Sequence, residues 1–402
     1  MKNDYEALIQ SAQYYNSSMF PDLVPALDLG RNENVYSMSP EVFSAMVGFP
    51  DHVRLGMVCT TLSHCINRSR GGDSQSTALT KTFYRYRGLI IRSLCDDINV
   101  EHKRTSPLVI AGMLNLLLAD AHQGVSPHWR YHLEGAQKLI MLRGGMRSLV
   151  ESTGVAPLLR CFVLIAVIGD TSSPAYNLAM STLHMEELEF MVERFGGEGF
   201  AFLTFPAPLF AEIMKINLLR AQASKLGPNA AEDFAPEAYD ILNRVFTFSS
   251  EQWAAFEPPS TRETWIMLGN LHQAAVVVYC ISSLQSLSIL PSNSVLRGSR
   301  LSHGQLLQKL LCQALPMLSV KRFMIWPLVV LGVEAVNGGV PMRNFVRKQL
   351  EDLGRHMATC VPLTAKDVLE RFWASGETRW DACFDKPYVF SSQIAVNVGQ
   401  LR

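Results

Sequence analysis

The sequence predicts an all-α fold, a large bundle of about fifteen helices. Apolar residues recur at helical spacing along most of the chain, whereas the two-residue alternation of an amphipathic strand is nearly absent. Several small residues stand directly before a proline, a pair that is typical of helix starts. With 402 residues, of which 48% are apolar and 18% charged, the chain is long and apolar enough to bury a sizeable core.

The predicted helix starts share a small residue before a proline that would occupy the first helical turn. They are Ser39-Pro40-Glu41, Ser106-Pro107, Ser126-Pro127 and, more weakly, Ala235-Pro236-Glu237. The third start opens a helix whose apolar residues line one face: Trp129, Leu133, Ala136 and Ile140. This helix is predicted to end at Arg143-Gly144-Gly145, because a cation and glycines suit a helix C-terminus.

The remaining predicted helices follow from apolar spacing alone. They are Asp4–Tyr15, Asp51–Ile66, Thr77–Cys95, Pro157–Ile168, Leu183–Phe195, Pro208–Leu226, Thr261–Leu290, Gln305–Leu318, Phe323–Val336, Met342–Thr359 and Ala365–Trp373. Polar breaks at Asn67–Ser76, Gly169–Ala175 and Gly227–Asp233 separate some of them without a change of composition. The pattern therefore favours one all-α domain, or two helical halves packed together.

Charge and cysteine usage exclude several classes of protein. The chain has 36 basic and 36 acidic residues, so it lacks the excess of Lys and Arg that a stand-alone nucleic-acid binder needs. Asp4 and Glu6 stand where a secretory signal would be apolar. Most of the eight cysteines lie inside apolar segments, as around Cys161 and Cys280, which is typical of reduced thiols rather than a disulfide framework.

One segment resembles a membrane span in its lack of charge. No charged residue occurs from Thr264 to Leu296, but Asn270, His272 and several serines interrupt the segment. Polar groups are costly within a bilayer. A buried core helix is therefore the favoured interpretation, and no membrane association is expected.

The motifs give no catalytic, cofactor-binding or metal-binding residue. Gly196-Gly197-Glu198-Gly199 follows a helix rather than a strand and is predicted to be a helix stop, and Gly72–Ser76 is predicted to be a loop. His128 and His132 lie one helical turn apart, but a zinc site needs further ligands, so a structural role is favoured. Two charged segments are predicted to be solvated helix faces. The acidic face comprises Glu186, Glu187, Glu189 and Glu193. The basic face comprises Lys81, Arg85, Arg87 and Arg92, interleaved with Tyr84 and Tyr86.

Two predicted helical segments carry sequence landmarks. The first comprises Trp129, His132, Leu133, Gly135, Ala136, Gly144 and Gly145, in the pattern Trp-x-x-His-Leu-x-Gly-Ala followed by a Gly-Gly turn. The second is a Trp-Pro-Leu-x-x-x-Gly-x-Glu-Ala helix with Trp326, Pro327, Gly332 and Glu334. In this order the two landmarks resemble those of a fungal family, the regulatory domain of zinc-cluster transcription factors. The resemblance implies a regulatory fold over residues 50–375, preceded by a helical extension (1–49) and followed by a C-terminal tail (376–402).

The resemblance also implies roles for the landmark residues. Gly135 and Gly332 would allow helices to approach closely, Trp129 and Trp326 would bury large areas, and Pro327 would mark a first turn or a disruption. His132 and Glu334 would be satisfied polar groups near the core. These roles are structural, so the implied function is regulation rather than catalysis.

The chain departs from that family at the DNA-binding module. The module holds two zinc ions on six closely spaced cysteines surrounded by Lys and Arg. Here the closest pair is Cys59 and Cys65, and no Cys-x-x-Cys occurs. Direct DNA binding by these residues is therefore not expected, and we expect a nuclear regulator that dimerises with a DNA-binding relative or another copy, binds a coregulator, or senses a small apolar ligand.

A second hypothesis comes from a different class of protein. The scaffold would then act directly on a metabolite, as an enzyme or carrier in the cytoplasm. His122, His128, His132 or Asp120 would be acid–base candidates only where they converge on a pocket. The family resemblance and the lack of a catalytic set favour the regulator.

Overall fold

The prediction of an all-α fold is confirmed by a computed structural model of the chain. The structure describes residues 2–30, 35–69, 74–123, 128–152, 154–179, 185–195, 205–226 and 233–391. Within these ranges it contains fifteen α-helices of eight or more residues and no strand. The predicted extent of helical structure was therefore correct, although several boundaries differ.

The helices are numbered here in chain order. They are α1 (Lys2–Tyr14), α2 (Pro40–Val47), α3 (Asp51–Arg68), α4 (Ser74–Ile98), α5 (Pro107–Gln123), α6 (His128–Leu142), α7 (Gly145–Ser152), α8 (Ala156–Thr171), α9 (Met185–Phe195), α10 (Ala207–Leu226), α11 (Ala235–Thr247), α12 (Arg262–Ser286), α13 (Ser294–Ala314), α14 (Ile325–Met357) and α15 (Val361–Ser375). Short helical turns connect some of them, such as Ser250–Trp253 and Ala254–Phe256.

Side-chain caps explain where several helices begin. The hydroxyl of Ser39 accepts a hydrogen bond from the backbone N–H of Val42 at 3.3 Å, as the Ser-Pro pattern predicts. Helix α13 begins well before the predicted Gln305, because Asn293 accepts from the N–H of Leu296 at 2.9 Å and caps an earlier start. Sequence periodicity missed that cap, and it also missed the short helix α7.

Two predicted helices, Phe323–Val336 and Met342–Thr359, form the kinked helix α14. Gly339 has φ 76° and ψ −174°, a backbone conformation that breaks the regular helix. The guanidinium of Arg343 donates to the carbonyls of Ala335 at 3.2 Å and Val336 at 3.3 Å. These bonds satisfy carbonyls that the break releases, so the kink is a stable part of the helix.

The described residues form two compact units. One contains the residues up to Leu164 together with Arg355–Cys360, and α3 packs there against α1, α4 and α5. The other contains Ile165–Gly354 and the described residues from Val361 onward, and α12 packs there against α10, α11 and α13. The division into residues 1–49, 50–375 and 376–402 stays a prediction.

In the part of the chain that the structure describes, two segments are long and apolar enough to cross a membrane by length and composition. They are Arg262–Ser286 and Lys321–Met357, and 72% and 67% of their most apolar windows are buried inside the protein. The side chains around Ala275–Ile281 are fully buried. A helix covered on all sides by other helices is apolar all round, so the fold accounts for the uncharged segment from Thr264 to Leu296.

Candidate functional site

The first landmark lies on helix α6 and at its C-terminal end. The side chains of Trp129, Leu133 and Ala136 are buried, and they face α5, against which α6 packs. Gly144 and Gly145 have φ of 95° and 90°, a left-handed conformation in which residues with a Cβ are strained. The Gly-Gly turn therefore allows the chain to leave α6 and start α7 at once.

The two landmark glycines differ in their packing. A Cβ atom on Gly332 would lie 2.3 Å from Cδ1 of the buried Leu369, so the leucine of α15 packs directly on this glycine of α14 and a larger residue would force a rearrangement. A Cβ on Gly135 would lie 3.5 Å from Cε of Met113, which is an ordinary contact. The present packing therefore depends on the glycine at position 332 and not on the glycine at position 135.

His132 belongs to an ionic cluster with Asp120 and Arg87. Arg87 donates to both carboxylate oxygens of Asp120, at 3.2 and 2.8 Å, and His132 Nε2 lies 3.1 Å from Asp120 Oδ2. Burial raises the pKa of Asp120, but the bonds from His132 and Arg87 outweigh it and leave the pKa below its usual value. The cluster joins α4, α5 and α6 through one buried carboxylate.

This cluster suits a structural role better than acid–base chemistry. Both oxygens of Asp120 are occupied, and the nearby Cys59 thiol is buried, which raises its pKa to about 12. Of the four acid–base candidates, the structure brings His132 and Asp120 together. The side chains of His122 and His128 lie outside the described residues.

The second landmark anchors α14 through polar bonds and close packing. The indole of Trp326 donates to the hydroxyl of Thr171 at 2.9 Å, and Pro327 lies in the first turn of α14. The carboxylate of Glu334 lies 3.0 Å from Nε of Arg300 on α13. Burial outweighs this pairing and raises the pKa of Glu334 above its usual value.

A second polar cluster lies in the core of the same unit and was not predicted. The buried guanidinium of Arg220 donates to the carbonyls of Asp170 and Ser173 at 2.8 Å each. It also donates to the Tyr279 hydroxyl at 3.0 Å and to the Asp381 carboxylate at 2.8 Å. The one available signal was an arginine inside the apolar repeat of α10, which favours a buried and paired side chain.

The predicted solvated face of α4 is formed only in part: Lys81, Arg85 and Arg92 are exposed, whereas Arg87 and Tyr86 depart from it. Arg87 turns inward to Asp120, and Tyr86 is buried with the guanidinium of Arg85 4.5 Å from its ring centre. Tyr84 is exposed. A continuous basic and aromatic surface for nucleic acid is therefore not formed by these described residues.

The other sequence candidates differ in what the structure describes of them. Glu186, Glu189 and Glu193 are exposed on α9, as predicted, and the Gly196–Gly199 and Gly72-Asp73 positions lie outside the described residues. The prediction of a loop over Gly72–Ser76 was wrong for Ser74–Ser76, which form the first turn of α4. Among the described residues no group of three or more His, Cys, Asp and Glu is placed to hold a metal ion. Burial raises the pKa of the Cys161 and Cys280 thiols and so disfavours the thiolates that zinc binds.

Comparison with known proteins gives matches over nearly the full length of the chain. A family model described as the fungal specific transcription factor domain matches residues 13–387. The phomenoic acid biosynthesis cluster-specific transcriptional regulator of Leptosphaeria maculans is 44% identical over 389 residues, which cover 96% of this chain and 74% of that protein. No solved structure matches the chain.

Proposed function

The chain belongs to the family of the fungal specific transcription factor domain, and we propose that it regulates the transcription of a fungal biosynthetic gene cluster. The observation that carries the proposal is the extent of the family match, residues 13–387, which contains both landmarks. The relative from Leptosphaeria maculans, similar over 96% of this chain, is itself a cluster-specific transcriptional regulator.

The geometry of the landmarks supports regulation through the protein surface. The side chains of Trp129 and Trp326 are buried, and the polar groups of His132, Trp326 and Glu334 are paired inside the fold. These landmark residues therefore stabilise the scaffold. A regulator built in this way acts through the residues that its helices expose. Its partner, in this proposal, is a DNA-binding relative or a coregulator, with which it forms a heterodimer, or a second copy, with which it forms a homodimer. A small apolar ligand is a further candidate for control.

DNA contact is proposed to come from another segment or another polypeptide. Within these 402 residues the cysteines are too widely spaced for a binuclear zinc cluster. Purified protein of these residues should therefore give no specific shift of promoter DNA at physiological salt. Addition of the DNA-contacting partner should produce a specific shift. The proposed site of action is the nucleus.

Deletion of the gene tests the proposed function directly. The transcripts of neighbouring biosynthetic genes and the metabolic product should be measured together in the deletion strain. Both should fall, and both should recover on complementation, because a regulator acts on the product through the transcripts. A changed product with unchanged transcripts would contradict regulation and would favour direct action on a metabolite.

A further inference from the structure

Phe256 projects from the surface of the second unit. It closes the short turn Ala254–Phe256, and its side chain is 98% exposed, more than any other large apolar side chain among the described residues. A single exposed apolar side chain is common on a protein surface and needs no explanation by itself. What distinguishes Phe256 is how firmly the backbone around it is held.

Arg262 clamps the turn on both sides of Phe256. One nitrogen of its guanidinium, Nη2, donates to the carbonyl of Ala255 at 3.2 Å and to the carbonyl of Glu257 at 3.1 Å. These residues are the two chain neighbours of Phe256. The backbone on both sides of Phe256, and with it the direction of its Cα–Cβ bond, is therefore held before any partner binds.

The base of the turn is packed against α12. Trp253 contacts Trp265 edge-to-face, with ring centres 5.4 Å apart, and Ala254 is fully buried. A Cβ on Gly269 would lie 2.7 Å from Cβ of Ser250, so this glycine allows the turn to lie close to α12. The exposed ring is thus mounted on a rigid base, which lowers the entropy lost on binding.

The charge around Phe256 indicates the kind of surface it would meet. The segment from Ser249 to Glu263 carries three carboxylates, those of Glu251, Glu257 and Glu263, and one guanidinium. That guanidinium, of Arg262, is turned toward backbone carbonyls. The segment that carries the exposed ring therefore has a net negative charge.

We propose that this turn is a docking knob, in which Phe256 inserts into an apolar pocket rimmed by Lys and Arg on a partner protein. The inference rests on the proposed function, in which the chain acts through protein partners. Central aromatic anchors commonly dominate binding energy, while charges around them select the partner and speed association. A second copy fits poorly, since a symmetric contact at this turn would bring two acidic segments together.

Photocrosslinking in the native fungus tests the knob even though its partner has not been identified. The full-length protein would carry the probe p-benzoylphenylalanine in place of Phe256 in one strain and in place of Tyr176 in another. Tyr176 is a matched control, because it is an exposed aromatic residue of the same unit that also lies in a short turn. The probe at 256 should give at least tenfold more cross-linked product, and mass spectrometry should map it to an apolar peptide flanked by Lys or Arg.

Further variants separate the contribution of the Phe256 ring from that of the residues that support it. Co-purification of the cross-linked partner should fall about tenfold with Phe256→Ala and severalfold with Arg262→Met, which removes the clamp but keeps an aliphatic stem. Neutralising the rim with Glu251→Gln and Glu263→Gln should reduce binding most at low salt, because screening already weakens exposed charges at high salt. Tyr176→Ala should leave co-purification unchanged.

The outcomes for the docking knob can be distinguished from those for the proposed function. Cross-linking to a second copy, to a partner peptide without basic residues, or no more strongly than from position 176 overturns the docking knob. The proposed function is judged separately, from the transcripts of the deletion strain. If deletion silences the cluster while the Phe256→Ala protein still binds its partner, the proposed regulatory function stands and the docking knob is refuted.

Discussion

Arg220 and Asp381 form an ion pair with a separation of 2.8 Å, although they are 161 positions apart in the sequence. Arg220 is fully buried, and its other bonds reach the carbonyls of Asp170 and Ser173 at the C-terminal end of α8. Helix C-termini carry partial negative charge, so a cation is favourable there. Burial strongly disfavours an isolated charge, which is why this one is surrounded by four acceptors.

Replacement of Arg220 by methionine should destabilise the second unit severely. The variant removes the four hydrogen bonds that the guanidinium donates and leaves the Asp381 carboxylate without its cation, and breaking a buried pair in this way typically costs about 3–5 kcal/mol. Unfolding in urea, followed by tryptophan fluorescence, measures the loss. This signal reports chiefly on the second unit, which contains five of the six tryptophans.

The matched control for that variant is Arg379→Met. Arg379 pairs with Glu377 at 3.3 Å on the surface, and both side chains are exposed. Exposed pairs contribute about 0–1 kcal/mol, so the midpoint of unfolding should hardly move. Equal effects of the two substitutions would show that the burial of Arg220 is not what makes it important.

The second prediction concerns the close approach of α14 and α15 at Gly332. Gly332→Ala would place a Cβ 2.3 Å from Cδ1 and 2.9 Å from Cδ2 of the buried Leu369, so either this leucine side chain must rearrange within the core or the helices must move apart. Overpacking of this kind costs about 1–3 kcal/mol. Separation would also strain the bond from the Trp373 indole to the Gly332 carbonyl, now 2.9 Å. Urea unfolding should show the loss of stability.

Gly298 provides the opposite expectation on a neighbouring helix. It is exposed on α13, and no atom lies within 4 Å of where its Cβ would be. Gly298→Ala should therefore stabilise the protein by about 0.5–1 kcal/mol through helix propensity alone. The gain in helix propensity applies at both positions, so the close contact with Leu369 would be refuted if Gly332→Ala stabilised the protein as much as Gly298→Ala.

Particular residues show how far the sequence alone predicts this structure. Helix starts such as Ser39-Pro40 and the Gly144-Gly145 turn are local features, so spacing and residue type were enough to place them. The pairing of Arg220 with Asp381 is not local, because it depends on where two distant segments meet. The same is true of Asp120 and Arg87, and of the Arg262 clamp, which depends on turn geometry that periodicity does not encode.

The third prediction concerns the turn after α12. Ser288 is exposed and has φ 61°, and the N–H of Ile289 donates to the carbonyl of Leu284 at 2.9 Å, as in a glycine-terminated helix. Ser288→Gly should stabilise the protein by about 0.5–1 kcal/mol, because glycine adopts this conformation without strain. Thermal unfolding measures the change.

Ser302 is the control for that substitution. It is exposed within α13, where the backbone is regular, so Ser302→Gly should destabilise the protein by about 0.5 kcal/mol. The two serine-to-glycine changes should thus have opposite signs. A loss of stability with Ser288→Gly would mean that the turn does not require a left-handed residue.

The fourth prediction is a pH dependence that originates at His272. The imidazole is buried, which lowers its pKa to about 4, and Nδ1 donates to the carbonyl of Leu268 at 2.8 Å. Below pH 6.5 the unfolded chain takes up a proton at this residue, whereas the folded protein does not until about pH 4. The free energy of unfolding should therefore fall across this window, by about 2 kcal/mol at pH 5 relative to neutral pH.

His272→Met removes the titrating group but keeps an apolar side chain, so its urea midpoints should fall less between pH 7.5 and 5 than those of the native protein. If the urea midpoints of the variant and of the native protein fell equally over this pH range, His272 would not be held neutral in the fold.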